Sequence, residues 1–339
     1  MTDKVKKLVK YSLIIFAIVA FVTVPLPFYV YQPGTVDSLH EVVNIENSYT
    51  GEGELNLVTV RGGRATPLLA MTTFFSSYRD LLPIGDVFPD GYDRDQYMQA
   101  QLQMMESSQE AAIVVAYQEA NEAIDVYYEG VYVVSTMDDL PASEKLEIAD
   151  KIMEVEGQRI DDADHLIEIV SQYDIGDHLT FVIERDEQMF EETIELVPLP
   201  DEPQRPGIGI QLVTNREISI ERDVQFDSGE IGGPSAGIVL SLEIYNQLTE
   251  TDLTNGLKIA GTGEIDYEGN VHRIGGVDKK VVASDREDVD IFFVPNDGGT
   301  NESNYELAMA TKASIDSDME IVPIDTVSDA IEFLLNYEA

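Results

Sequence analysis

The chain of 339 residues is long enough to bury more than one hydrophobic core, so we expect two compact domains besides any anchor. Its 64 acidic and 21 basic residues give a formal net charge of −43, which opposes binding to nucleic acid and predicts no nucleic-acid partner. The chain has no cysteine, which excludes disulfides, thiolate metal sites and cysteine nucleophiles.

The N-terminal segment combines lysines with a long uncharged run. Residues 1–10 contain four lysines, and residues 11–31 contain no charged side chain. About 20 such residues suffice to cross a hydrocarbon core of ~30 Å as a helix. Lysines stay on the cytoplasmic side, so the pattern predicts a cytoplasmic tail, a single-pass membrane anchor over 11–31 and an extracellular remainder. A cleaved signal peptide also has a charged start, but no small-x-small cleavage site follows the run.

Residues 32–124 begin with short predicted strands and end with a long predicted helix. The strands are predicted at 42–45 and 55–60, with a turn-rich segment at 50–53 between them. Residues 96–123 have few helix breakers and carry apolar residues at helical spacing, which predicts a helix.

Residues 125–200 are rich in predicted strands and include one clear helix, which indicates a compact, β-rich inserted domain. The segment 201–207 carries two prolines and a glycine and is predicted to be a linker. The strands are predicted at 130–137, 151–157, 179–186 and 190–199, and the helix at 163–173.

Residues 205–339 alternate strands with helices, which indicates a mixed α/β layer architecture and, with the β-rich insert, an α+β chain. Helices are predicted from Pro234 to about Leu248, from Val277, and from Val327 to Tyr337. Strands are predicted at 207–213, 217–226, 290–295 and 319–324.

Ser235 stands in the segment Gly232-Gly233-Pro234-Ser235-Ala236-Gly237. The glycines allow a tight turn and a close approach of substrate, and proline pre-sets a first helical turn. Ser235 is therefore predicted at a helix N-terminus, where free N–H groups can stabilise an oxyanion. This position suits a nucleophile, but a serine that only caps the helix is an equally good interpretation of the segment alone.

A serine nucleophile needs a base, and the chain has only four histidines. Of these, His272 alone lies near the right region, and no triad pattern supports it. If a helix starts at Val277, Lys280 lies on one stripe with Val277 and Ser284, while Lys279 points to another face nearer water. Burial would lower the pKa of Lys280 so that it can act as the base, although a lysine that only snorkels to the surface fits the same spacing.

The segments G-G-P-S-A-G at 232–237, G-T-G-E at 261–264 and I-G-G-V-D-K-K at 274–280 resemble the proteolytic core of Lon-type serine proteases. The resemblance implies that Ser235 is the nucleophile, supported by Gly233 and Pro234, that Lys280 is the base, and that Thr262 lies close to the lysine amine. The family often carries an aspartate where Gly232 stands. No phosphate-binding G-x-x-x-x-G-K-[ST] motif occurs in this sequence, which predicts ATP-independent cleavage without a cofactor.

The insert resembles a PDZ domain. Gly130, Val131, Tyr132 and Val133 are similar to its carboxylate-binding loop and peptide-pairing strand, which implies that an extended peptide adds to the sheet. A structural domain without a ligand is the alternative. Residues 145–152 resemble the PDZ segment that usually reads L-x-x-G-D.

Anchor, PDZ-like insert and Lon-like core together resemble the PDZ-containing Lon-like proteases of Gram-positive bacteria, the SepM/YlbL type. A stretch with Met105, Ser108, Gln109 and Ala112 is similar to the M-x-x-S-Q-x-x-A stretch of that group. In that group the segment before the insert, here 32–124, belongs to the protease unit, and Lon-type cores commonly assemble into rings.

The sequence therefore predicts a membrane-anchored serine endopeptidase that cleaves peptides or unfolded proteins outside the cell. A catalytically silent PDZ scaffold that sequesters peptides is the main alternative, and it would need neither Ser235 nor Lys280. A Ser-His esterase would depend on His272. Residues 233–237 have the G-x-S-x-G spacing of that class, but the predicted strand before them ends at 226, so the strand–turn–helix elbow typical of that class is absent.

Overall fold

The computed structural model describes residues 3–88, 94–137, 140–186, 188–200, 202–229, 231–299 and 303–337. The chain forms two compact units: unit 1 comprises Met1–Ala123 and Glu221–Ala339, and unit 2 comprises Ile124–Ile220. The insert therefore continues past residue 200, where the sequence analysis ended it.

The described residues form eight α-helices, most of which match predicted segments within a few residues. They are α1 Asp3–Thr23, α2 Pro67–Thr73, α3 Arg94–Glu119, α4 Ala163–Ser171, α5 Gly237–Leu248, α6 Val277–Arg286, α7 Asn304–Ile315 and α8 Val327–Leu335.

The strands of unit 1 come from both ends of the chain, and those of unit 2 from the insert. In chain order they are β1 Phe28–Ser38, β2 Val43–Ile45, β3 Glu54–Arg64, β4 Asp80–Pro83, β5 Ile124–Thr136, β6 Lys151–Val155, β7 Gln158–Arg159, β8 His178–Arg185, β9 Gln188–Glu195, β10 Val197–Pro198, β11 Pro206–Gly207, β12 Ile210–Ile220, β13 Val224–Phe226, β14 Lys258–Gly261, β15 Glu264–Ile265, β16 Val271–His272, β17 Ile291–Pro295 and β18 Glu320–Ile324.

The predicted membrane-spanning helix over 11–31 is wrong in its extent. Helix α1 ends at Thr23, and the chain is already a strand from Phe28 onwards. Pro25 and Pro27 explain the end, because proline lacks an N–H donor and disfavours helical geometry in the residue before it. Among the helices that the structure describes, none is both long and apolar enough to cross a bilayer.

The main sheet of unit 1 has the strand order β18-β17-β14-β3-β1-β4. The pairs β18–β17, β17–β14 and β14–β3 are parallel, while β1 is antiparallel to both β3 and β4. Parallel neighbours need crossover connections, which α6 supplies between β14 and β17 and α7 supplies between β17 and β18. The N-terminal strands thus complete a sheet that the C-terminal segments begin.

Helices cover both faces of this sheet. Ala260 packs with Val277 and Val281 of α6 in one buried cluster. The next residue, Gly261, faces the opposite side, where a Cβ would lie 2.9 Å from Val239 of α5. Since α6 carries Lys280 and Ser235 directly precedes α5, the end of β14 is the place where both segments can meet.

Unit 2 is built on a sheet with the order β12-β5-β6-β8-β9, with β7 paired to β6. Strand β12, predicted as part of the 205–339 core, pairs antiparallel with β5 along nearly its whole length, which explains why unit 2 reaches Ile220. The predicted strand at 217–226 is divided between β12 and β13. Of the predicted linker 201–207, Pro206–Gly207 forms β11, and residue 201 lies outside the described residues.

Candidate active site

Ser235 lies in a turn directly before helix α5. The helix begins at Gly237, not at Pro234 as predicted, and its N-cap is Ala236. Gly233 has a φ of 93°, a conformation that only glycine adopts easily, and the N–H of Gly237 donates to the carbonyl oxygen of Pro234 at 3.3 Å. Ser235 is therefore not the helix cap that the alternative interpretation required.

Helix α3 holds this turn through two hydrogen bonds. The N–H of Gly233 donates to the carbonyl oxygen of Gln101 at 2.7 Å. The hydroxyl of Ser108 donates to the carbonyl oxygen of Pro234 at 2.9 Å. A Cβ on Gly232 would lie 2.8 Å from the Cβ of Gln101, so the close approach of α3 requires glycine there. The sequence analysis noted Ser108 in a motif but gave it no role, and Gln101 carried no signal.

Thr262, immediately after β14, joins this turn to the sheet. Its N–H donates to the carbonyl oxygen of Phe293 at 3.0 Å, and its hydroxyl donates to the carbonyl oxygen of Ser235 at 3.0 Å. The N–H of Gly263 donates to the same Ser235 oxygen at 2.9 Å. Thr262 is fully buried, and its side chain lies beside Ser235.

Lys280 reaches both hydroxyl groups. Helix α6 starts at Val277, as predicted, after Gly276 in a left-handed conformation. The Nζ of Lys280 lies 2.7 Å from the Oγ of Ser235 and 2.8 Å from the Oγ1 of Thr262. The side chain is only 3% exposed, and this burial lowers the pKa of Lys280 from 10.5 to about 7. Near neutral pH a large fraction of the amine is therefore uncharged and able to accept a proton.

The sequence analysis expected Lys279 to lie near water, but its side chain is buried in an ion pair. Its Nζ lies 2.5 Å from the carboxylate of Asp80 on β4 and 3.1 Å from that of Asp278. Burial alone would lower the pKa of Lys279, but hydrogen bonds and charge from the two carboxylates outweigh it and raise the pKa above 10.5. Lys279 therefore stays protonated and unsuited to act as a base.

His272 does not provide a second base for Ser235. Its Nε2 lies 3.0 Å from the Oδ2 of Asp266 in the β15–β16 turn, and more than half of its side chain is exposed. Burial would raise the pKa of Asp266, but hydrogen bonds from Asn270 and His272 lower it overall. This arrangement gives no support to a Ser-His esterase.

An open cavity of about 1020 Å³ lies in unit 1 in front of Ser235 and Lys280. Of strand β3, only Glu54–Leu57 pair with β14. The β3 residues that follow, 58–62, line the cavity. A strand without a neighbour on one side offers N–H and C=O groups to an extended peptide. The cavity is also lined by larger apolar and aromatic side chains: Tyr29, Tyr31, Tyr97, Met98 and Met105.

In unit 2 the predicted peptide-pairing segment lies inside the sheet. Val131 and Tyr132 pair with β12 on one side and with β6 on the other, and Gly130 precedes them with a φ of 104°. Val133 pairs with Leu212 of β12. The structure therefore does not provide there the free edge that the prediction required. The sequence analysis could not predict that β12 pairs with this segment, because β12 lies about 80 residues downstream.

One edge of this sheet is β12, which the sequence analysis did not connect with a peptide. Helix α4 lies beside it, with the N–H of Ala163 donating to the hydroxyl of Thr214 at 3.0 Å. Ile210 and Leu212 of β12 and Tyr173 after α4 are apolar but only partly buried against the core. The segment G-I-G-I-Q-L-V at 207–213, with its apolar alternation, was the signal that could have indicated this edge.

Two protein families match parts of the chain. Residues 217–337 match the Lon protease (S16) C-terminal proteolytic domain, a range that contains Ser235, Thr262 and Lys280. Residues 100–196 match the PDZ domain, a range that starts within α3 and ends before β12. The predicted resemblances to a Lon proteolytic core and to a PDZ domain are thereby confirmed, each over part of the chain.

Curated relatives match the Lon-like part. The Lon protease of Campylobacter jejuni is 35% identical over 104 residues, which are 30% of this chain and 12% of that protein. The peroxisomal Lon protease homolog 2 of Caenorhabditis briggsae is 34% identical over 106 residues, 31% of this chain and 13% of that protein. The chain thus spans only a small part of these relatives' length, and the similarity supports a serine peptidase.

Two solved structures are similar to about a quarter of this chain. The PDZ domain of the SdrC-like protein from Listeria monocytogenes is 31% identical, covering 26% of this chain and 93% of that one, with a TM-score of 0.25. The second domain of a Listeria protein is 32% identical, covering 25% of this chain and 85% of that one, with a TM-score of 0.24.

Proposed function

We propose that the chain is an ATP-independent serine endopeptidase in which Ser235 is the nucleophile and Lys280 the general base. The observation that carries this proposal is the 2.7 Å distance from the Nζ of Lys280 to the Oγ of Ser235, at a lysine that is 3% exposed. Among the described residues no carboxylate forms an ion pair with Lys280, so burial acts on its pKa without compensation.

In the first step the neutral amine of Lys280 takes the proton of Ser235 as the Oγ attacks the carbonyl carbon of a peptide bond. The amine, now protonated, then donates this proton to the leaving amide nitrogen. Water hydrolyses the resulting ester with Lys280 again acting as base. Thr262 accepts a hydrogen bond from the amine and donates one to the carbonyl oxygen of Ser235, which orients the Nζ toward the Oγ.

The oxyanion that forms on the substrate carbonyl needs donors on the cavity side of the turn. Within the described part of the chain, the backbone N–H groups of Ser235 and Ala236 donate to no protein acceptor, while those of Gly233, Gly237 and Ile238 do. Free N–H groups beside the nucleophile are the usual means of stabilising a tetrahedral intermediate. We assign this role to Ser235 and Ala236.

Peptides or unfolded proteins are the substrates that this site would accept. An extended segment can lie along residues 58–62 of β3, whose backbone lines the cavity next to the nucleophile. The extracellular location of the catalytic part and its assembly into a ring stay predictions. Protease accessibility on intact cells and the mass of the purified particle would test them.

The test uses the purified full chain with fluorescein-labelled casein, an unfolded protein. Wild type should release labelled peptides without ATP, and Ser235→Ala and Lys280→Ala should not. Lys258→Ala is the matched control, because Lys258 is a partly buried lysine whose Nζ donates to the carbonyl oxygen of Glu287 outside the site. Cleavage that persists in Ser235→Ala would exclude the assignment, and binding without cleavage by wild type would favour the scaffold.

For unit 2 we propose that an extended peptide adds to the sheet at β12. The support is that β12 ends the sheet, that α4 lies beside it, and that partly buried apolar side chains lie on the strand. Leu212→Asp should weaken binding of casein-derived peptides at least tenfold, because it puts a charge on the apolar side of the strand. Val213→Asp, on an exposed position of the same strand, is the control, and equal loss in both variants would contradict the proposal.

A further inference from the structure

Ser108 of α3 is a buried hydroxyl that the proposed reaction does not use. It is 3% exposed, and its Oγ donates to the carbonyl oxygen of Pro234 at 2.9 Å. Helix α3 lies entirely outside the range that matches the Lon proteolytic domain, which begins at residue 217. The contact therefore brings a distant part of the chain to the backbone immediately before the nucleophile.

The peptide bond that Ser108 contacts is the one that joins Pro234 to Ser235. In a trans peptide the C=O and N–H groups are coplanar and point in opposite directions. A donor that fixes the Pro234 carbonyl therefore also fixes the N–H of Ser235, on the side away from Ser108. That N–H is one of the two groups assigned above to the oxyanion.

A hydrogen bond to the carbonyl has an electronic effect as well. Hydrogen bonds in a chain polarise one another, so an accepted bond at the Pro234 oxygen strengthens the N–H of Ser235 as a donor. The N–H of Gly233 donates to the carbonyl oxygen of Gln101 at 2.7 Å, so α3 holds the turn at two successive residues, Gly233 and Pro234. Both points leave the N–H of Ser235 free.

We propose that Ser108 is a positioning residue that orients and strengthens the Ser235 N–H for the oxyanion. The proposal rests on the proposed peptidase function. A Cβ at Gly237 would lie 2.7 Å from the Cγ1 of Ile265 and 3.1 Å from the Ser108 Oγ, so the surroundings of the hydroxyl are tightly packed. Ser108 touches no reacting atom, so its effect belongs to the tetrahedral state and not to substrate binding.

The experiment compares wild type, Ser108→Ala and Ser241→Ala as purified full chains. Ser241 is the matched control, since it is also a buried serine whose hydroxyl donates to a backbone carbonyl, that of Gly237, at 3.0 Å. Thermal unfolding establishes that each variant is folded. The kcat and KM for labelled casein are measured, together with the Kd of a leucine-ended peptide boronic acid and of the same peptide as a carboxamide.

We expect Ser108→Ala to lower kcat about tenfold with KM nearly unchanged, since losing an oxyanion donor outright costs more, about 10²–10³. Its boronic acid affinity should fall by a similar factor, because the boronate mimics the tetrahedral state, while the carboxamide binds as before. Ser241→Ala should match wild type in all four constants. Equal boronate affinity and kcat in Ser108→Ala and wild type would overturn the role of Ser108 and leave the peptidase intact. A wild type that neither cleaves casein nor binds the boronate would overturn both.

Discussion

Two adjacent lysines of helix α6 lie in different surroundings. Lys279 and Lys280 are 4% and 3% exposed, but Lys280 lies deeper in the protein than Lys279. Lys279 contacts the carboxylates of Asp80 and Asp278, whereas Lys280 contacts only the hydroxyls of Ser235 and Thr262. The pKa is raised for the first lysine and lowered to about 7 for the second.

The comparison teaches that low exposure alone does not make a lysine a base, because carboxylate partners reverse the effect of burial on the pKa. A carboxylate stabilises the protonated amine and compensates for its lost hydration. A neutral hydroxyl stabilises it far less, so the amine loses its proton more easily. Each prediction that follows changes either one of the two lysines or a side chain that contacts it.

The largest effect is expected from Lys280→Met, which keeps the length of the side chain and removes the base. Cleavage of casein should fall by about 10³-fold or more, the size of loss seen when a catalytic base is removed from a serine hydrolase. Initial rates at a saturating substrate concentration check this. A loss of less than tenfold would mean that another group takes the proton.

The same variant should alter how stability depends on pH. The pKa of Lys280 is about 7 in the folded chain against 10.5 as its ordinary value, so the unfolded chain binds more protons between these pH values. The free energy of unfolding of wild type therefore gains about 1.4 kcal/mol per pH unit from this residue as pH rises through that window. Lys280→Met should lack this slope. Urea unfolding of both chains near pH 7 and near pH 9 measures it, and parallel curves would contradict the lowered pKa.

A smaller effect is expected from Thr262→Val, which keeps the shape but removes the hydroxyl that accepts from Lys280. The amine would lose its orientation, and kcat should fall about tenfold, less than the roughly 10²–10⁴-fold that a general base itself contributes. Thr262→Ser retains the hydroxyl and should recover most of the rate. If Val and Ser variants are equally slow, packing and not the hydroxyl explains the loss.

The smallest effect concerns Lys279→Met, which leaves Asp80 and Asp278 without their cation. Because the Asp80 side chain is about half exposed, water replaces part of the lost interaction, and we expect a loss of about 1–2 kcal/mol in unfolding free energy. The pH at which activity is half-maximal should hardly change. Denaturant unfolding and a pH profile of the variant test the two statements separately.

Local patterns predicted the part of the site that local geometry determines. The glycines at 275 and 276 predicted the start of α6 at Val277, and the helical phase then predicted that Lys280 is buried. The chemical grouping of Ser235, Thr262 and Lys280 came from motif resemblance, since no local rule states which distant segments meet at the end of β14.

Features that depend on distant partners could not be predicted. Lys279 was placed near water because its partner Asp80 lies about 200 residues upstream, on β4. The segment 130–133 was interpreted as a free edge because β12, which occupies that edge, follows much later. Pro25 and Pro27 end the N-terminal helix after Thr23, but the pairing of the following segment, Phe28–Ser38, with β3 and β4 depends on distant strands.

The pH dependence of kcat/KM tests the central claim most directly, because this constant reports the ionisation of the free enzyme. The account predicts that kcat/KM for casein rises with pH and is half-maximal near pH 7, since only the neutral amine of Lys280 can accept the proton of Ser235. Lys279→Met should give the same midpoint. A rate that is constant between about pH 6 and pH 9, or that falls over this range, would contradict Lys280 as the base.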